Sequence, residues 1–171
     1  MFSSFSKMAW LAPVLLLGGC GGGGTSPDPD INGPAIVENS LSRSDFFDSQ
    51  NDRYYDIYVC DARQNGNATV EMFSNDVDSY LLVYRKTSGG DFVLITQDDD
   101  SNDAGDARLD FFVERGRSYR IIATSASADE RGDYDLRFSE ELGRPARVLP
   151  DANRVSQSVV LPALPAKKKA N

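Results

Sequence analysis

The chain has no histidine at all. That removes the commonest general base, the commonest transition-metal ligand and the usual pH switch. A Ser-His-Asp or Cys-His catalytic arrangement cannot be built from these residues. Only two cysteines occur among 171 residues, Cys20 and Cys60. Without histidine, two thiols cannot complete the four-ligand shell of a structural zinc. Positive charge is also short, with 18 Lys+Arg against 26 Asp+Glu and a formal net charge of −8. An acidic chain repels phosphate backbones, which argues against nucleic acid as a partner. There is one tryptophan, and no apolar run long enough to cross a bilayer as a permanent helix.

What is present starts with a leader. Lys7 gives a positive start, Met8 to Leu17 form a short apolar stretch interrupted by Pro13, and small residues follow. This is the composition of a cleavable export signal. Leu17-Gly18-Gly19-Cys20 closely resembles the lipobox of bacterial lipoproteins. The resemblance implies cleavage before Cys20, lipidation of its sulfur and attachment to a membrane. The residue after Cys20 is Gly21 rather than Asp, which in family terms leans toward the outer membrane of the cell envelope. The expected organisation is therefore a signal peptide over 1–19 and a lipidated Gly/Pro-rich linker over 20–33. A folded domain over 34–141 and a proline-containing, partly disordered tail over 142–171 follow.

Within 34–141 the pattern is short strands and polar turns, with no helical period. Ala68, Val70 and Met72 fall on one face of a strand, as do Leu109, Phe111 and Val113. Tyr119, Ile121 and Ala123 alternate in the same way, and so do Tyr134, Leu136 and Phe138. Ser79-Tyr80-Leu81-Leu82-Val83-Tyr84 is almost continuously apolar, as a strand buried on both faces would be. Phe92-Val93-Leu94-Ile95 follows a Ser88-Gly89-Gly90-Asp91 turn and reads as the return strand of a hairpin. Turns at this spacing predict an all-β fold, an antiparallel β-sandwich. In the tail, residues 155–161 read as one further edge strand or as loosely ordered chain.

In order, these segments resemble a bacterial pre-peptidase C-terminal domain. Asn39-Ser40-Leu41 and Ser44-Asp45 match its leading segment, and Tyr54-Tyr55-Asp56-Ile57-Tyr58 its Tyr-Tyr-Asp-x-Tyr strand. Val77-Asp78-Ser79-Tyr80-Leu81 is similar to its Phe-Asp-x-Tyr-Leu strand, with Val for Phe. Gln97-Asp98-Asp99, Asp106-Ala107-Arg108-Leu109, Gly116 with Tyr119, and Gly132-Asp133-Tyr134-Asp135-Leu136 follow in family order. The resemblance implies a jelly-roll or Ig-like sandwich serving as a non-catalytic accessory or binding module. Such domains usually trail secreted peptidases, and no peptidase domain is read within these 171 residues. Expected partners are the membrane, through Cys20, and a protein or polysaccharide ligand. The alternatives are a calcium-stabilised structural protein of the envelope, or an accessory or inhibitory partner of a secreted peptidase. Gly132 is expected to supply a conformation other residues resist. Tyr58, Tyr80, Tyr119 and Tyr134 are expected to pack their rings inward with hydroxyls at the sandwich rim. Cys60 reads as a small buried hydrophobe, with an intermolecular bridge as the alternative.

The sharpest chemical feature is Asp98-Asp99-Asp100-Ser101-Asn102-Asp103-Ala104-Gly105-Asp106, five carboxylates and an amide in nine residues. Asp98, Asp100 and Asn102 alternate as in a calcium loop, and Asp103 adds a fourth oxygen donor. Asp76 and Asp78 could approach from a neighbouring turn. The EF-hand form then fails, because Asp103 stands at the turn-glycine position and Leu109 at that of the bidentate Glu. The competing reading is a solvated acidic loop whose first aspartates cap a turn. No catalytic residue and no cofactor other than calcium is expected.

Overall fold

The computed structural model describes residues 34–101, 105–150, 159 and 161–163. Strand β1 is Ala35–Leu41, β2 Phe46–Asp48, β3 Arg53–Asp61, β4 Gly66–Phe73 and β5 Ser79–Lys86. Strand β6 is Phe92–Asp98, β7 Ala107–Val113, β8 Ser118–Ser125, β9 Gly132–Phe138 and β10 Ala146–Val148. They form two antiparallel sheets. One has the order β1-β9-β4-β7, and the other runs β10-β3-β8-β5-β6 with β2 also paired to β3. The fold is the expected β-sandwich.

The alternating strands place their apolar residues between the sheets. Ala68, Val70 and Met72 of β4 are fully buried and stand opposite Phe111, Leu109 and Ala107 of β7. Tyr119, Ile121 and Ala123 of β8 and Tyr134, Leu136 and Phe138 of β9 join the same core. Each of the larger aliphatic and phenylalanine side chains stabilises the fold by about 1.5–3 kcal/mol on removal from water. Cys60 belongs to this core at 3 % exposure, and burial pushes its thiol pKa up to about 12. A thiol so placed has almost no thiolate at neutral pH and no path to an intermolecular partner.

The run Tyr80-Leu81-Leu82-Val83-Tyr84 is buried throughout because β5 is covered on both faces. Leu81 and Val83 enter the core between the sheets. Tyr80, Leu82 and Tyr84 enter a second core on the outer face of the larger sheet, with Phe46, Tyr55, Ile57, Ile122, Ala126 and Leu161. The folded unit therefore continues past residue 141. Leu142 is buried, β10 pairs with β3, and Val159 and Leu161 lie against the second core. Of the expected strand at 155–161, residues 155–158 and 160 lie outside the described residues.

Strand β6 is less buried than its composition suggests. Val93, Leu94 and Ile95 are 42, 41 and 37 % exposed. The strand ends its sheet and has β5 as its one neighbour, so its apolar residues lack a covering layer. The hairpin turn before it forms as expected: Gly90 adopts a φ of 96°, and its N–H donates to Thr87 O at 3.1 Å. Gly132 differs from expectation. Its φ lies outside the left-handed region, and what requires glycine there is space, since a Cβ would stand 2.3 Å from the Asp76 Cβ.

Candidate functional site

Two polar clusters carry the chemistry of the described chain. The first lies inside the sandwich at the join of β1, β3, β9 and β10. Asp56 alternates inward with Tyr58 on β3 and is 0 % exposed. Its Oδ2 accepts hydrogen bonds from the Tyr134 hydroxyl at 2.6 Å and from Asn39 Nδ2 at 3.0 Å. Its Oδ1 accepts from Arg147 Nε at 3.0 Å and Nη2 at 2.7 Å. Asn39 Nδ2 also donates to the Tyr58 oxygen at 2.8 Å, and the Tyr58 and Tyr134 oxygens are 2.7 Å apart. With Tyr134 donating to Asp56, the Tyr58 hydroxyl donates to Tyr134. Arg147 Nη2 closes the cluster on Asp45 Oδ1 at 2.6 Å.

Burial raises the Asp56 pKa, while the bonds from Tyr134 and Arg147 pull it back down. Burial likewise raises Tyr58, and it raises Tyr134 further, with the adjacent Asp56 charge adding to the shift. The phenols stay neutral and donate to a carboxylate. Here the expectation of hydroxyls at the rim is corrected: those of Tyr58 and Tyr134 end in a sealed network, because Asp56 offers a buried acceptor between them. The Tyr119 hydroxyl accepts from Glu114 N at 3.0 Å. Arg147 was missed in the sequence because it stands beyond residue 141, in a segment read as tail. Asp56 was seen only as part of a motif.

The second cluster is the acidic loop between β6 and β7. Asp98 ends β6, and its Oδ2 accepts from Ser101 N at 3.1 Å, Ser101 Oγ at 2.7 Å and Arg108 N at 2.9 Å. That fastens the loop to the start of β7. Carboxylate oxygens of Asp98, Asp99 and Asp100 lie within 4.8 Å of one another. The Asp99 pKa is raised by burial first, then by Asp100, with smaller contributions from Asp98 and Asp78. Asp78 thus belongs to this end of the molecule, and Ser79 N donates to Gly105 O at 2.9 Å. Asp78 N donates to Glu130 Oε2 at 2.9 Å, and the Ser125 hydroxyl bonds the same oxygen. Asp76 is committed elsewhere: its Oδ2 accepts from Asp133 N at 3.1 Å, at the head of β9. Asn102, Asp103 and Cys20 lie outside the described residues. Asp99 was missed as a member because alternate spacing passes over it. The three carboxylates offer the oxygens hard cations take, but Asp98 already serves as the clamp of its own turn.

Two shallow depressions adjoin along Asp133-Tyr134-Asp135, of about 390 and 280 Å³. Glu38, Asn39 and Ser40 line one, and Phe73, Ser74, Asn75 and Asp76 the other.

No family model matches the chain, and no curated protein matches it. Among solved structures it is similar to the Yersinia pseudotuberculosis-derived mitogen, at 13 % identity and a TM-score of 0.46. That match covers 69 % of this chain and 100 % of the other. It is also similar to the pre-peptidase C-terminal domain of a collagenase from Bacillus anthracis, at 10 % identity and a TM-score of 0.40. There the shares are 61 % and 86 %. Neither overlap establishes kinship.

Proposed function

We propose that this chain is a lipid-anchored protein of the cell envelope whose β-sandwich is a non-catalytic binding or accessory module. Its ligand on this reading is a protein or a polysaccharide, met through loops and sheet faces. The observation that carries the non-catalytic part is the sealing of the internal cluster of titratable groups. Asp56, Tyr58 and Tyr134 are 0, 1 and 2 % exposed, and they are bonded to one another and to Arg147. A general acid or base must reach a substrate proton within hydrogen-bond distance, directly or through one water. A strut between two sheets needs no such access. The leader and the Cys20 motif support the anchor.

The test is binding of the full chain, immobilised, to a panel of secreted peptidases, cell-envelope polysaccharides and whole bacterial cells. Saturable binding to at least one member is expected. Silence across the panel, together with turnover of an ester, glycoside or peptide substrate, overturns the reading.

A further inference from the structure

The outer face of the larger sheet is an aromatic and apolar surface already covered by a piece of the same chain. Cross-strand rows align Ile57, Ile122 and Leu82, and above them Tyr55, Thr124 and Tyr80. Phe46 stacks on Tyr55 with ring centroids 5.3 Å apart. Leu161 is seated there at 2 % exposure, with Val159 beside it. This segment is read through its main chain. Val159 N donates to the Tyr55 hydroxyl at 3.1 Å, Arg53 Nη2 donates to Pro162 O at 2.9 Å, and Asn51 Nδ2 donates to Leu161 O at 3.4 Å. None of these contacts depends on the segment being covalently part of the chain.

A second observation points the same way. Six buried side-chain polar atoms among the described residues have no hydrogen-bond partner, and four of them belong to this face. They are Gln97 Oε1, Arg120 Nε, and Arg53 Nε with the Tyr80 hydroxyl, whose side chains lie against each other without a well-formed hydrogen bond at these two atoms. Arg53 and Tyr80 are both 0 % exposed. Gln97 pairs with Leu82, and Arg120 with Tyr84, so both share the outward side of those residues. A buried polar group left unmet is destabilising, because it has given up water without a replacement partner. The chain's own segment therefore fills the apolar floor while leaving both donors and an acceptor unmet. An extended polypeptide that runs further over the face than these seated residues carries both N–H and C=O groups and can meet them.

From this we infer that the outer face formed by β3, β8 and β5 is a peptide-binding groove, occupied here by Val159, Leu161 and Pro162 as an internal stand-in. Its partner is an extended segment of another protein, with an apolar residue two positions before a Leu-Pro pair. The inference rests on the binding-module reading and names its ligand class. Leucine fills the pocket among Ile57, Leu82 and Ile122. The carbonyls of Leu and Pro take the hydrogen bonds of Asn51 and Arg53. The internal segment competes with such a partner at an effective concentration of about millimolar, so binding requires its displacement.

The probe is a fluorescent peptide of residues 156–165, titrated into the full chain and its variants by polarisation. Wild type is expected to bind it weakly. Leu161→Asp, which unseats the internal segment, is expected to bind at least about tenfold more tightly. Adding Tyr55→Phe should lower that affinity several-fold, and Leu161→Ala serves as the milder variant if Leu161→Asp does not fold. A peptide library panned on the Leu161→Asp chain is expected to enrich apolar-x-Leu-Pro sequences. A folded variant, by circular dichroism, that binds no better than wild type overturns the inference. So does a wild-type dimer that Leu161→Asp turns into a monomer, which would make a second copy the occupant. If the peptide fails while the panel of peptidases, polysaccharides and cells still gives binding, this inference falls and the binding-module reading stands.

Discussion

Arg147 is the cation of the internal polar cluster, and with the Tyr134 hydroxyl it opposes the effect of burial on Asp56. Asp56 is wholly buried, and its carboxyl sits above the ordinary aspartate value of 3.8 chiefly because burial penalises its charge. The folded chain therefore holds that proton more tightly than the unfolded chain. On this account stability falls as pH rises from 3.8 through the raised value, and is level above it. Arg147 opposes the shift by donating twice to Oδ1. In Arg147→Ala the carboxylate keeps its burial and loses its cation, so its pKa climbs further. Removing one partner of a buried pair costs about 3 kcal/mol. That cost belongs to the charged form. Urea unfolding of wild type and Arg147→Ala between pH 4 and pH 7.5 should show a gap of about that size at neutral pH, narrowing toward pH 4. A gap independent of pH would mean that Arg147 acts through packing alone.

At the scale of elements, Asp98 joins the end of β6 to the start of β7. Its Oδ2 accepts three hydrogen bonds, and a side-chain amide oxygen can accept in the same place. Asp98→Asn should therefore melt close to wild type, and Asp98→Ala should lose about 1–2 kcal/mol. Millimolar calcium should leave the order of the three unchanged in differential scanning calorimetry. If calcium raises the melting temperature of wild type and of neither variant, the loop is a cation site instead. How much of this was legible in the sequence differs between elements. The period-two strands β4, β7 and β9 could be read directly, because one buried face writes itself as alternation. Strand β5 announced two-sided burial without saying what covers its outer side, and the covering residues lie some eighty positions on. Strand β6 was legible as the return strand of a hairpin, which it is, but its exposure was not, because composition reports what a strand carries and exposure depends on its place in the sheet. Gly132 illustrates the same limit, since its requirement comes from Asp76, which is remote in sequence and 2.3 Å from where a Cβ would be.

For the whole molecule, strand direction relates the expected anchor to the loops. Strand β1 starts opposite Phe138 and runs to Leu41 opposite Gly132. Val37 aligns with Leu136, Met72 and Ala107 along one row, so β1 runs toward the end from which the acidic loop feeds β7. A chain tethered ahead of residue 34 thus presents Asp98–Asp100 away from its attachment point. That suits an anionic lipid surface, which repels carboxylates over about a Debye length of 8 Å. A flexible linker over 20–33 would give a reach of roughly 20 Å. Among the described residues no helix is long and apolar enough to cross a membrane; the proposed anchor is the lipid on Cys20. A single acyl chain holds a protein marginally, while two or three, at about 0.8 kcal/mol per buried CH₂, hold it stably. Expressed in a bacterium fed labelled palmitate, the wild-type chain should incorporate label and partition into the detergent phase. Cys20→Ser should incorporate none and partition into the aqueous phase, with an unchanged melting temperature, since Cys60 is already buried in the core and needs no partner. Membrane retention of Cys20→Ser would place the anchor elsewhere in the chain.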